Sequence, residues 1–390
     1  MKMKAALHGK LPIGVAILLL FAASITAQEA VITPPESIAA DNVPKIPASL
    51  AETAGRYGAY RSASLADWNP AKREMLIATR FGDTPQLHLV SAPGGERHQL
   101  TFYPDAVTNG RFHPNGGDYI VFSKDIGGAE WFQLYRYDLK TGEVTMLTDG
   151  KARNLMGPWS SKGDELAYMS TRRTGKDTDL WVMNPADPKS DHLLTKLEGG
   201  GWEPLDWSPD DKHILLKEEL SINEAYLWLV DTSSGEKTRL EAGGLTSGGK
   251  VGIGEAQFAK DGKGIYLTYD AGFEFLNLAY LYLAGKEVKY VLSGPEANWD
   301  IERFDLSRNG KLIAYVKDEN GASVIHVRRT TNNTEVPLPK LAAGVVSSLR
   351  WHHNSHELGF SLANARGRAT HIRLIWLRES WSAGRTARPR

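Results

Sequence analysis

The chain has no cysteine among its 390 residues. That excludes disulfides, a thiol nucleophile and any thiolate-held metal. It also has no excess of either charge, since 46 Lys and Arg stand against 46 Asp and Glu. A balanced chain has no net field to draw in nucleic acid or an anionic membrane, so neither is expected as a partner. Long apolar runs are missing except near the N-terminus. There Lys2, Lys4 and Lys10 precede an apolar stretch from Leu11 to Ala23, and small residues follow to Ala27. The stretch is shorter than the roughly 18–20 residues that span a bilayer. Its layout is that of a secretory signal peptide over residues 1–27. The expectation is a periplasmic or secreted protein, free of the membrane once cleaved. Export without cysteine suits a bacterial periplasm, where a disulfide is optional. A nucleotide loop is missing too: Gly252-Ile253-Gly254 lacks the third glycine and leads into a strand pattern rather than a helix. No cofactor is expected.

What the chain does have is a repeat. Trp207-Ser208-Pro209-Asp210-Asp211-Lys212 ends one strand, turns, and leads into the apolar run Ile214-Leu215-Leu216. Pro presets φ and Asp bonds its own backbone, which is the chemistry of a tight turn. The same unit opens with Trp68, Phe112, Trp159, Phe258, Phe304 and Trp351, giving spacings of 44, 47, 48, 51, 46 and 47 residues. The second half of the unit recurs as well. Leu134 to Thr148 reads strand, Thr-Gly turn, strand, and Leu227 to Leu240 and Leu87 to Thr101 repeat it. Short strands at a period of this size are the signature of propeller blades, which bury their faces only against each other. The predicted fold is all-β: a seven-bladed β-propeller of four-stranded antiparallel blades over residues 61–365, with the last blade incomplete.

The flanks differ. Residues 28–60 form a Pro- and Ala-rich arm in which Ser49-Leu50-Ala51-Glu52 has capping-box spacing, predicting a short helix. Residues 366–390 are Arg-rich and lack the Asp and Thr-Gly turn that the repeat requires, although 371–378 retain strand character. An unpaired edge in the last blade would favour self-association.

Several segments go beyond a generic propeller. They are Asp125-Ile126-Gly127-Gly128-Ala129-Glu130-Trp131-Phe132, Ser170-Thr171-Arg172-Arg173 with Asp177-Thr178-Asp179, Gly199-Gly200-Gly201-Trp202, and Ser221-Ile222-Asn223-Glu224-Ala225-Tyr226. Together they resemble the N-terminal propeller of exported bacterial serine peptidases of the prolyl oligopeptidase family, in its dipeptidyl-peptidase and acylaminoacyl-peptidase-like branch. The resemblance covers roughly residues 46–365. It implies a propeller that caps an α/β-hydrolase domain and admits only short peptides to a Ser-Asp-His triad. Members of that family continue for about 250 residues past the propeller, an ordinary domain length. This chain ends at Arg390 and contains no Gly-x-Ser-x-Gly elbow. No catalytic residue is assigned, and the expectation is a truncated, substrate-gating propeller that is not catalytic alone, its partner a peptide substrate when joined to a hydrolase domain. The alternatives are a periplasmic protein-binding scaffold of the TolB kind and a free-standing ligand-binding propeller.

Candidate substrate-binding residues fall on loops between the second and third strands. Glu130, Asp177, Glu224, Glu274 and Glu319 recur there, and a ring of carboxylates would hold a peptide's amine by charge-assisted bonds. Propeller glutamates of dipeptidyl peptidases act in this way, and Glu130 and Glu224 are the candidates here, without an aligned family motif. The plain reading is solvated loop charge that blocks edge pairing. Arg172 and Arg173 would grip a substrate carboxylate in a fork, or pair with acidic neighbours. His352, His353 and His356 cluster, but no third ligand at fixed spacing makes a zinc site, so they read as a degenerate turn and no metal is expected.

Overall fold

A computed structural model of the chain describes residues 29–59, 61–241, 250–292, 294–364 and 367–376. The expected signal peptide lies outside these residues, as does the tail beyond Trp376. The chain divides into two units, residues 1–60 and 61–390.

In the first unit, a bridge joins Val31 to Pro47, and helix α1 (Ala48–Gly58) follows. Pro47 occupies the position before the helix and no side chain caps it, while Ser49 bonds Glu29 instead. The capping box expected at Ser49 is therefore not formed, because the helix starts two residues earlier than that box requires. None of its residues is buried.

The second unit is a ring of antiparallel sheets, each built from consecutive strands. Blade one comprises β1 (Ala63–Trp68), β2 (Met75–Thr79), β3 (Gln86–Val90) and β4 (His98–Gln99). Blade two comprises β5 (Asn109–Phe112), β6 (Tyr119–Lys124), β7 (Gln133–Asp138) and β8 (Val144–Met146). Blade three has β9 (Asn154–Trp159), β10 (Leu166–Ser170), β11 (Asp179–Asn184) and β12 (Asp187–Thr195). Blade four has β13 (Trp202–Trp207), β14 (His213–Ser221), β15 (Glu224–Asp231) and β16 (Lys237–Arg239). Blade five has β17 (Ile253–Phe258), β18 (Gly264–Tyr269), β19 (Asn277–Tyr282) and β20 (Val288–Tyr290). Blade six has only β21 (Ile301–Leu306), β22 (Leu312–Glu319) and β23 (Ala322–Arg329). The C-terminal sheet has β24 (Val345–Trp351), β25 (Glu357–Asn364) and β26 (Gly367–Trp376), the last described in its backbone alone.

The expectation of seven four-stranded blades is thus corrected. Six blades are described throughout, five of four strands and one of three, and the C-terminal sheet is a partial one beside them. The physical reason in blade six is legible. Its fourth strand would run through Glu335-Val336-Pro337-Leu338-Pro339, and two prolines remove the amide donors that a ladder needs. Pairing there shrinks to one bridge, Arg328 with Glu335, and the Val336 amide bond to Val327 O at 2.7 Å.

The core is distributed between blades. Six apolar clusters each combine two neighbouring sheets; Trp202 and Trp207, for example, pack with Ala167, Met169 and Leu180 of blade three. The anchors Trp68, Phe112, Trp207, Phe258, Phe304 and Trp351 are all buried, and Trp159 partly so. Their indoles also tie blades together. Trp207 Nε1 donates to Pro158 O at 3.1 Å and Trp351 Nε1 to Asp305 O at 3.0 Å.

The junction between the C-terminal sheet and blade one is closed by polar contacts. Arg73 meets the buried Glu357 at 2.5 Å, Leu65 N donates to Ser361 Oγ at 2.8 Å, and Trp68 Nε1 donates to Arg350 O at 3.2 Å. His352 Nε2 lies 3.1 Å from the carbonyls of both Asn69 and Lys72, and its Nδ1 accepts the Asn354 amide. The histidine cluster is therefore a turn whose first member fastens the ring, and no metal-holding group of side chains is found among the described residues.

Candidate functional site

The innermost strands β1, β5, β9, β13, β17, β21 and β24 surround a cavity of about 550 Å³ on the ring axis. Its wall carries five carboxylates (Asp67, Glu203, Asp206, Glu255 and Asp305) and five cations (Arg111, Lys260, Arg303, Arg308 and Arg350). The local sequence explains why five of these ten residues turn inward. Six of the seven anchors are preceded by a polar residue: Asp67, Arg111, Asp206, Gln257, Arg303 and Arg350. β-bulges just before Asp67 and Asp206 re-aim the strand at these positions.

Four of the carboxylates staple one blade to the next. Asp67 accepts the Phe112 amide at 2.8 Å, Asp206 that of Phe258 at 2.9 Å, Glu255 that of Phe304 at 2.8 Å and Asp305 that of Trp351 at 2.7 Å. Burial pushes all four carboxyls above their ordinary range, against the pull of Arg350, Lys260 and the amide bonds. Glu203 pairs with the buried Lys217 at 3.1 Å. Among the cations, burial and the nearby Arg350 bring Arg111 down to about 10. Arg308 reaches from blade six to Ser161 O of blade three, at 3.3 Å, across the mouth formed by the turns after the inner strands. Beside it, burial and then Arg308, His352 and Lys260 depress His353 to about 4, so it is neutral near pH 7.

The residues singled out from sequence lie at the other end of the strands, on the loops between second and third strands. Glu130 is exposed, held at φ 61 with its amide donated to Asp125, and its carboxylate is 3.6 Å from Arg153. Arg172 donates to Asp191 and to Tyr168 Oη, each at 2.6 Å, and stacks 4.2 Å over Trp181. Arg173 forks onto the buried Asp179 at 2.8 and 2.9 Å and also reaches Asp177. Glu224 accepts Tyr226 Oη at 2.7 Å and pairs with Lys250 at 2.7 Å; these contacts hold it below the usual glutamate range. Of the other loop acids, Glu319 pairs with Lys317 at 2.8 Å and Glu274 is exposed. The four candidates share one rim but not one cluster: Glu130 belongs to blade two, the arginines to blade three and Glu224 to blade four.

That rim has a feature that sequence reading missed. Phe81, Phe102, Ile126, Trp131, Leu220 and Ile222 are exposed there, Ile222 to 89% and Phe102 and Ile126 to 75%. Single apolar residues in loops have no period to reveal them. Only the common end of the strands brings them onto one face.

No family model matches the chain. A Tol-Pal system protein TolB from Francisella tularensis subsp. holarctica (strain OSU18) is 27% identical over 110 residues, 28% of this chain and 25% of that protein. An uncharacterized peptidase, YuxL, from Bacillus subtilis (strain 168) is 26% identical over 163 residues, 41% of this chain and 23% of the peptidase. Among solved structures, a prolyl endopeptidase studied for inter-domain dynamics in catalysis and specificity superposes with a TM-score of 0.66 at 14% identity, over 84% of this chain and 50% of that one. The chain thus spans about a quarter of the length of the curated relatives it matches. What these likenesses establish together is the fold: a β-propeller of the kind found in prolyl oligopeptidase N-terminal domains and TolB.

Proposed function

We propose that this propeller gates substrate for an exported serine peptidase that acts on short peptides, with the loop rim of Glu130, Arg172, Arg173 and Glu224 facing the catalytic domain. The observation that carries the reading is the concentration of exposed apolar residues on that rim, at the end of a narrow axial cavity. Exposed apolar surface gathered on one face marks a surface that another domain covers. The wall of the cavity supports the same reading. Equal numbers of fixed carboxylates and cations suit a short peptide, which carries an ammonium at one end and a carboxylate at the other. On the rim, Glu130 and Glu224 are the acids for the peptide amine, and Arg172 and Arg173 orient these loops through Asp191 and Asp179.

The test joins the propeller to a hydrolase domain. The purified chain is assayed against aminoacyl and dipeptidyl chromogenic substrates, alone and with an α/β-hydrolase domain of a prolyl oligopeptidase-like enzyme joined to it. The expected result is no turnover alone, and turnover in the joined protein that is confined to short peptides and falls with Glu130→Gln. Turnover by the isolated chain that a serine-directed inhibitor abolishes would end this reading.

A protein-binding scaffold is the second reading. The same apolar rim favours it, since the rim would equally seat a separate partner protein. The joined-domain assay separates the two, because a scaffold gives no length selection among peptides.

A further inference from the structure

A second cavity, of about 510 Å³, opens between blades five and six at the opposite end of the strands from the apolar rim. Its size falls in the range of roughly 300–1,000 Å³ typical of small-ligand sites. The floor is built of Tyr266, Tyr280 and Tyr282 with Leu306 and Ile313. The rings are held edge to face, Tyr266 on Tyr280 at 4.8 Å and Tyr280 on Tyr282 at 4.7 Å. Gly264 makes this arrangement possible. A Cβ there would stand 2.4 Å from Tyr280 Cζ, so only glycine lets that ring lie across β18. The phenols of Tyr266 and Tyr280 are pushed up to about 12 by burial and so remain hydrogen-bond donors at any ordinary pH.

The rim is cationic. Lys263, Lys289, Lys311 and Arg329 border the cavity, all exposed, and none has an ion pair among the described residues. Asp261 is the one carboxylate among the lining residues. In a chain whose charges cancel overall, four unpaired cations around an aromatic floor are a local excess. With one carboxylate against the four rim cations the lining disfavours an amine, while its hydroxyls and amides hydrogen-bond a polar backbone. An apolar floor inside a basic rim complements a ligand with one apolar group flanked by carboxylates.

We propose that the cleft between blades five and six docks an acidic peptide segment, one aromatic or aliphatic side chain entering the tyrosine floor and the neighbouring carboxylates meeting Lys263, Lys289, Lys311 and Arg329. The site meets the channel wall at Lys260 and lies apart from the apolar rim, and it stands whether or not the gating reading does.

The test is fluorescence anisotropy of the whole purified chain with labelled Glu-Asp-Phe-Glu-Glu, set against Lys-Ser-Phe-Lys-Lys and trigalacturonate. The expected result is saturable binding of the acidic peptide, weakened several-fold between low and 0.3 M salt by screening. The double variant Lys289→Glu/Lys311→Glu, two changes at exposed positions with the melting temperature as the control for folding, should weaken it by about tenfold or more. Should that variant not fold, Tyr282→Ala is the second probe and should also weaken binding. No saturation up to about 1 mM, binding untouched by both changes, or tighter binding of trigalacturonate than of the peptide would overturn the proposal.

Discussion

Asp206 shows how a single side chain carries opposing demands. It must sit in the wall of the cavity to bond the Phe258 amide, and that position costs it water. The folded protein therefore holds its proton to higher pH than the unfolded chain does. A carboxyl raised on folding contributes stability that is fully present below its unfolded value and lost as pH rises through the folded one. Asp206→Asn removes the titration but keeps an oxygen to accept the amide. The variant should gain stability relative to the native chain as pH rises from 4 to 7, read from urea unfolding at both ends. A difference that is flat with pH would show that the carboxyl is not held up by burial. Gly359 makes a steric point at the same scale. A Cβ there would meet Trp68 Nε1 at 2.8 Å and Leu65 Cδ2 at 2.9 Å. Gly359→Ala should cost about 1–3 kcal/mol, the usual range for overpacking, in denaturant unfolding.

At the scale of the element, six of the seven inner strands end on an aromatic residue that has two tasks, while β21 ends on Leu306 with Phe304 two residues earlier. The aromatic ring fills the space between blades and, in Trp68, Trp207 and Trp351, the indole bonds the previous blade's backbone. Trp207→Ala should therefore be severe, about 3–5 kcal/mol for a buried aromatic. Trp207→Phe keeps most of the packing and strands the Pro158 carbonyl, for a loss of about 1–3 kcal/mol. Calorimetry of the two variants separates packing from the hydrogen bond. The opposite case is the outer edge of blade six, where Pro337 and Pro339 leave the ladder at one bridge. The anchor is decided by burial and the edge by donor count, so repeats conserve their inner strands while losing outer ones.

For the whole molecule, the weak point is the junction that joins the two ends of the ring. Among the described residues, the other junctions hold large apolar clusters, whereas this one sets Leu65 and Trp68 against Gly359 and relies on Arg73 with Glu357, His352 and Ser361. No strand from one terminus completes a sheet at the other among the described residues. Arg73→Ala leaves a buried carboxylate without its cation. Removing one partner of a fully buried pair costs about 3–5 kcal/mol, and the half-exposed arginine brings the expected loss to about 2 kcal/mol. Hydrogen exchange should rise first in β1 and β25. Uniform acceleration across all blades would show that the junction is no weaker than the rest.

Much of this was legible from the chain itself. The recurrence of Trp68, Phe112, Trp207 and their counterparts, with turn residues after each, determined an all-β propeller, because side-chain period and turn chemistry are local properties. The count of strands per blade was not legible, since it depends on whether a segment such as Glu335–Pro339 finds an edge it can pair with. The site residues divide in the same way. Glu130, Arg172, Arg173 and Glu224 could be placed on loops from sequence, and Asp179 lies across the same loop as Arg173, but the partners Arg153, Asp191 and Lys250 come from other segments of the chain. The charged channel, the apolar rim and the tyrosine cleft were decided only by tertiary structure. Each gathers residues from separate repeats onto one surface, and that gathering is set by closure of the ring around its axis rather than by any neighbour in the sequence.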